Sequence, residues 1–366
     1  MKSTIKFINH DQSAFFSTLR KRVNQYFKEN NISRFGNRKM VIKTVTLLSV
    51  YLLSFLLILT LPVNAWFLLP FVLLMGISKA GIGMSVMHDA LHGSYSKKAP
   101  VNKFLGYSIY MLGANAIVWK VHHNVFHHTY TNIHGLDEDI NSKAIIRLSH
   151  QAPLKWFHRY QYIYAFMLYG FLTILLFFSD FIKILKFYRM GAVKERHLGA
   201  DKEYMKLVGL KLLYLFFMLV LPVLITSLLW WQVLLGFLLM HLTAGYILGI
   251  IFQMAHIVEG AHQPMPNEEG EIENAWAIHQ LQTTANFARN NRVLNWFIGG
   301  LNYQIEHHLF PNICHVHYRK ISDIVEKTAE EFHLPYNVKP TFMNALVSHV
   351  RTLKTLGRLP NNQLIR

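Results

Sequence analysis

The stretch Leu301-Asn302-Tyr303-Gln304-Ile305-Glu306-His307-His308-Leu309-Phe310-Pro311 sets a Gln, a Glu and two adjacent His among apolar residues, well beyond the last strongly hydrophobic run of the chain. Two more His clusters lie far upstream: His88-Asp89-Ala90-Leu91-His92 and His122-His123-Asn124-Val125-Phe126-His127-His128. Whether the chain brings these clusters to one place decides both its architecture and its chemistry.

The chain has 366 residues, 52% of them hydrophobic, and a mean hydropathy of +0.21. Those values fit a polytopic membrane protein with sizeable parts outside the bilayer. The formal charge of +17 avoids the apolar runs and reads as a surface facing anionic cytoplasmic lipid. No basic helix or nucleic-acid module accompanies it, so nucleic acid is not an expected partner. Cys314 is the sole cysteine, which excludes intrachain disulfides and thiolate-rich metal sites. The polar N-terminal stretch has no signal-peptide pattern.

Apolar runs predict four transmembrane helices at about 45–63, 67–87, 208–229 and 233–254, each long enough to cross a bilayer of about 30 Å. Lys79 interrupts the second, where its side chain is expected to snorkel. The segments Phe104–Val118 and Tyr162–Phe178 are also apolar. A crossing by the latter would put the following basic run (Lys183, Lys186, Arg189, Lys194, Arg196, Lys202 and Lys206) outside, so both are read as interfacial. This gives an all-α integral membrane protein of two helical hairpins. A basic segment at 1–44 precedes a membrane domain at 45–255, which carries a cytoplasmic or interfacial insert at 88–207. A cytoplasmic cap at 256–366 holds a helix near Tyr318–Phe332. Phe15, Phe16, Leu19, Val23 and Phe27 recur at helical spacing and suggest an interfacial helix in the first segment. Every His cluster falls on the cytoplasmic side.

On an α-helix, His88 and His92 point within about 40° of each other. His123 and His127 repeat that spacing. The adjacent His128 diverges by about 100°, so a His-His pair can serve two neighbouring metal ions; His307-His308 repeats the device. All-imidazole ligation suits Fe, Zn, Cu or Ni. Asp89, Asp139, Glu259 and Glu306 are candidates to accept the other ring N–H of a ligating His.

At this point the chain resembles the membrane-bound fatty acyl desaturases, closest to the front-end (linoleoyl, delta-6-like) type. The resemblance rests on His88-x-x-x-His92 with Gly93-Ser94, His123-x-x-x-His127-His128 with Thr131-Asn132, and Gln304-x-x-His307-His308. Gly135-x-Asp137-x-Asp139-Ile140 and His279-Gln280-Leu281 to Asn286-Phe287 add to it, and together these span roughly residues 75–340. It implies two Fe ions held by His88, His92, His123, His127, His128, His307 and His308. O2 is the implied co-substrate, and the reaction removes two hydrogens from an unactivated acyl chain to leave a cis double bond. The family's further ligand falls on His256, with His262 the alternative. Gln304 replaces the first His of the third box, and its ligation is left open. His122, His315, His317, His134, His241 and His279 are expected to be structural.

The substrate implied is a fatty acyl-CoA or an acyl-lipid. The His-Pro-Gly-Gly haem motif of fused cytochrome b5 domains is absent, so a separate electron donor is expected, of ferredoxin or cytochrome b5 type. Two rivals are weighed: a diiron hydroxylase or monooxygenase, and a His-rich metal transporter. The Gln-x-x-His-His form of the third box speaks against the first. The absence of a repeat, together with His clusters outside the spans, speaks against the second.

Overall fold

A computed structural model describes residues 5–8, 14–141, 145–193 and 199–360; Lys2, Lys194 and Arg196 lie outside these. Among the described residues, helices dominate, joined by two short parallel strand pairs, Lys6–Phe7 with Glu271–Ile272 and Asn286–Phe287 with Val338–Lys339. Four helices are long and apolar enough to cross a membrane: Arg38–Thr60, Ala65–Leu91, Ala200–Ile225 and Trp230–His256.

The helices differ at their ends from the apolar runs, for identifiable reasons. The first begins at Arg38, because Arg38 and Lys39 stay helical while their heads remain exposed. It stops short of Pro62, which disfavours helix at the residue before it. The third begins at Ala200, with Asp201 and Glu203 in its first turn, where carboxylates complement the helix dipole. Before Pro222 it loosens into a π-helical stretch, Phe216–Val220, as the missing proline N–H would require. The Tyr162–Phe178 run forms no straight helix. Trp156–Tyr169 and Leu172–Arg189 meet at 83°. Each exposes an apolar stripe at helical spacing, Trp156, Tyr160, Ile163 and Met167 on one and Phe171, Leu175, Phe178 and Ile182 on the other.

The chain divides into two compact units. One comprises residues 38–121 and 166–250. Within it Lys79 does not snorkel; it is 0% exposed. Its ammonium donates to Tyr214 Oη at 2.9 Å and lies 3.2 Å from His241 Nε2. Tyr214 Oη and Thr173 Oγ1 close on the two nitrogens of the same ring at 2.7 and 2.8 Å. An ammonium buried among apolar helices is held only where such partners surround it. A second buried cation, Lys211, pairs with Asp180 at 2.7 Å and also donates to the Gly113 carbonyl. Gly113 itself has φ +78°, a left-handed turn that suits glycine and breaks the Phe104–Val118 run.

The other unit comprises residues 1–37, 122–165 and 251–366. Its amphipathic helix Ala14–Glu29 does not lie on lipid. Phe15, Leu19 and Val23 are buried in a core with Tyr318, Ile321 and Val325 of the helix Tyr318–Glu331. Arg22 adds a 2.7 Å bond to Glu331. Periodicity alone does not tell an apolar face on lipid from one on protein.

In the same unit His349 is fully buried and donates from Nδ1 to the Ile257 carbonyl at 2.8 Å. Burial lowers its pKa from 6.5 to about 4, so the folded state prefers neutral imidazole. Its contribution to stability is present above pH 6.5 and is lost as pH falls through that value toward 4, up to on the order of 3 kcal/mol. Unfolding midpoints measured across that window should fall with acidification, and less steeply in His349→Gln. Parallel pH profiles for the two proteins would reject the assignment.

Candidate metal centre

The second His cluster sits on a helix whose winding differs from the sequence expectation. Asn115 Oδ1 caps its start by accepting from the Ile117 and Val118 amides at 2.9 and 3.1 Å. From Lys120 to His127 the helix is π-helical, closing i to i+5 in place of i to i+4. His123 therefore meets His128, Nε2 to Nε2 at 3.3 Å, while its ring stacks on His127 with centroids 5.2 Å apart. The adjacent pair still divides between neighbouring groups, with the His127 and His128 rings at 88° to each other.

The third cluster forms the short helix Gln304–Leu309, buried throughout. Gln304, His307 and His308 fall at i, i+3 and i+4, on one face. His307 Nε2 lies 3.0 Å from His128 Nε2. His128, His307 and His308 form one group with ring nitrogens within 4.8 Å of one another, and His127, His256 and His308 form a second. His123, His127 and Asp139 form a third. Six of the expected imidazoles (His123, His127, His128, His256, His307 and His308) thus converge within one unit. In the other unit His88 and His92 stand with ring centroids 4.7 Å apart, and both meet the edge of Trp119 at 5.7 and 5.5 Å.

Ring tautomers test whether this set suits a metal. His308 Nδ1 donates to Gln280 Oε1 at 2.8 Å, and His256 Nδ1 faces the Thr283 carbonyl at 3.3 Å. His127 Nδ1 lies 3.2 Å from both Asp137 oxygens and from Asp139 Oδ2, and His307 Nδ1 meets Tyr318 Oη at 3.2 Å. With Nδ1 engaged in each ring, Nε2 is the atom turned to a cation, the usual support of a ligating imidazole. Two nitrogens on one ion at about 2.0–2.1 Å each stand roughly 3.0–3.4 Å apart, which is the spacing from His128 to His307 and His123. One N–H···N bond can join a single pair of these nitrogens, whereas a cation accommodates all three. The residues fit a metal.

His127 is the most strongly polarised ring. Burial opposes its charged form, but Asp137 and then Asp139 outweigh burial and hold its pKa up at about 9. Asp137 is 0% exposed and also accepts from the backbone amides of Asn132 and Asp139. It was legible only as part of the Gly135-x-Asp137-x-Asp139 motif. Asp139 reaches both His122 Nε2 and His127 Nδ1 at 3.2 Å but is 41% exposed. Gln280 was legible only as part of the His279-Gln280-Leu281 motif, and Tyr318 and Thr283 carried no sequence signal for their roles.

The other candidates sort as follows. Glu306 accepts from Tyr336 Oη and Asn286 Nδ2 at 2.7 and 2.8 Å, so it fixes the third-box helix and touches no ring N–H. Burial, partly offset by those donors, pushes it up to about 7. Glu259 is half exposed, 3.9 Å from Arg351. Asp89 lies 3.6 Å from His88 Nδ1, beyond hydrogen-bond length. His262 is exposed. His317 Nε2 bonds the Phe35 carbonyl, His315 is buried beside Gly300, and His279 packs on Phe7. His134 is partly buried, and His241 belongs to the Lys79 cluster.

Residues 64–340 match the family model described as Fatty acid desaturase, a stretch that takes in every converging imidazole. The chain is a fatty acid desaturase. It is 36% identical over 97% of its length to an acyl-lipid (8-3)-desaturase of Physcomitrium patens, covering 74% of that protein. It is 35% identical to the sn-1 linoleoyl-lipid 6-desaturase of Synechocystis sp., covering 94% of this chain and 96% of the other. The namesake enzyme of Arthrospira platensis is 33% identical over 100% and 99%. The desaturase is therefore an oxidoreductase that introduces double bonds into fatty acyl chains, and an integral membrane protein with four apolar helices.

For the desaturase, Asp137→Asn should weaken metal binding by about 10–100-fold, the usual cost of losing an outer partner. Chelator competition on the purified protein measures this. Asp139→Asn, at a half-open position, should cost less; equal losses would contradict the ranking.

Proposed function

We propose that the desaturase acts on glycerolipid-bound acyl chains and inserts a cis double bond between an existing double bond and the carboxyl end. The relatives named sn-1 linoleoyl-lipid 6-desaturases, matched along almost their whole length, support the substrate. The convergence of His123, His127, His128, His256, His307 and His308 carries the site. To these the proposal adds His88 and His92 on the box pattern alone, and Gln304 as a ligand of undecided directness. Together they would hold two irons. Iron bound there would draw oxidising power from O2 sufficient to break unactivated methylene C–H bonds, which no side-chain acid or base supplies. The chain's own part is to orient the imidazoles through Gln280, Thr283, Tyr318 and Asp137, and to exclude bulk water by burial.

The basic N-terminal stretch places that centre on the cytoplasmic side in this reading, with two hairpins crossing the membrane and the bent pair Trp156–Arg189 lying in the interface. Electrons would come from a separate acidic donor steered by the basic face. Expression in a host supplied with linoleate tests the proposal by the double-bond position in sn-1 chains of its glycerolipids. A new double bond toward the carboxyl end, appearing in lipid before the acyl-CoA pool, is expected. A hydroxylated product, or earliest product as acyl-CoA, would overturn it.

A further inference from the structure

The unit formed by residues 38–121 and 166–250 holds a cavity of about 480 Å³, within the roughly 300–1,000 Å³ typical of small-molecule sites. It opens among the ends of the apolar helices that lie away from the His88–His92 pair, between Ile58, Trp66, Leu228 and Trp231. Its inner end is made by Met75, Met218 and Phe237. One helical turn further on come Lys79, Tyr214 and His241, and the Phe237 ring lies tilted on His241 with centroids 4.4 Å apart. The hydrogen-bonded cluster of Lys79, Tyr214, His241 and Thr173 thus lies one turn beyond the cavity's own lining. Met75 precedes His88 by thirteen residues on the Ala65–Leu91 helix, about 20 Å at 1.5 Å per residue. A chain reaching this cavity from the level of His88 would have to cross that polar layer.

We propose that the cavity is a binding site for one acyl chain of a bilayer phospholipid, distinct from the chain that is desaturated. Three observations choose the occupant. The walls are almost wholly apolar and belong to membrane-crossing helices, so the surrounding solvent is hydrocarbon. The polar layer one turn beyond the lining is internally bonded and asks nothing of a ligand headgroup. Trp66 and Trp231 stand at the mouth, where indoles favour the membrane–water boundary. Gly236 lines the wall, and a Cβ there meets Val72 at 3.7 Å, ordinary contact. A larger side chain at that position can therefore enter the cavity without displacing backbone.

The test uses the full-length protein in phosphatidylcholine vesicles containing a trace of phosphatidylcholine with a diazirine in one tail. After photolysis, adducts should map to Met75, Met218 or Phe237. Gly236→Phe should reduce them about tenfold while leaving adducts on exposed Leu52 and Leu53, and the double-bond position should not change. Val72→Phe fills the same space from the facing helix and serves if the first variant does not fold. Adducts at the inner end that persist in the folded filled variants, or never form in wild type, overturn the proposal. So does a shift in acyl-length preference on filling, which would make the occupant the substrate. The double-bond experiment above can fail without touching this result, because the adducts are read without turnover.

Discussion

His307→Ala should lose desaturation by more than the roughly 100-fold that removal of a supporting partner costs, together with a fall in bound metal. His307 Nε2 stands 3.0 Å from His128 Nε2, and its own Nδ1 is held by Tyr318. The substitution removes a donor and leaves Tyr318 facing a void. Metal per protein and product per hour, measured on material with wild-type helicity, read the two effects separately. His262→Ala is the matched control: an exposed side chain whose removal should leave both unchanged. Full activity in a well-folded His307→Ala protein would remove His307 from the centre.

Lys211→Met should be the most destabilising single change among the membrane helices. Its ammonium is the cation bonded to Asp180 at 2.7 Å, with both side chains nearly closed to solvent. Breaking a buried pair by deleting one member costs about 3–5 kcal/mol, because the remaining charge stays buried. Replacing both groups with apolar ones is often neutral or stabilising. The double variant Asp180→Leu/Lys211→Met should therefore recover most of the loss, and a double-mutant cycle of thermal unfolding in detergent gives the coupling. A double variant no better than Lys211→Met would show that the pair is not the source. The Lys211 bond to the Gly113 carbonyl also steadies the turn leading to the Asn115 cap.

Legibility followed the physics of each signal. Four long apolar runs announce four long apolar helices, because hydrocarbon allows little else. Their ends were harder to read, since Arg38 and Asp201 belong to helices for reasons of charge placement, not hydropathy. Lys79 was misjudged because a lone lysine in an apolar run looks the same whether it snorkels or meets Tyr214 and His241 from distant helices. The helix Ala14–Glu29 was visible, but its partner Tyr318–Glu331 lies some three hundred residues away. The imidazoles of the three boxes stood out by their spacing, whereas His256 was indicated only by the family resemblance. Their supports did not stand out, because Thr283 and Tyr318 are commonplace residues that matter only through proximity.

The π-helical turn at Lys120–His127 bears on how the chain tolerates changes in length. A π-helical stretch amounts to an α-helix that has taken in one extra residue without passing the slack to its neighbours. Deleting Asn124 or Val125 would return the segment to regular winding and keep His123 and His128 on one face, now four apart, while His123 and His127 would stand three apart. With no deletion, regular winding would swing His128 about 140° from His123. Motif spacing in this protein is thus a statement about winding as much as about composition. A transplanted histidine box would carry its geometry only if the π-helical winding travels with it.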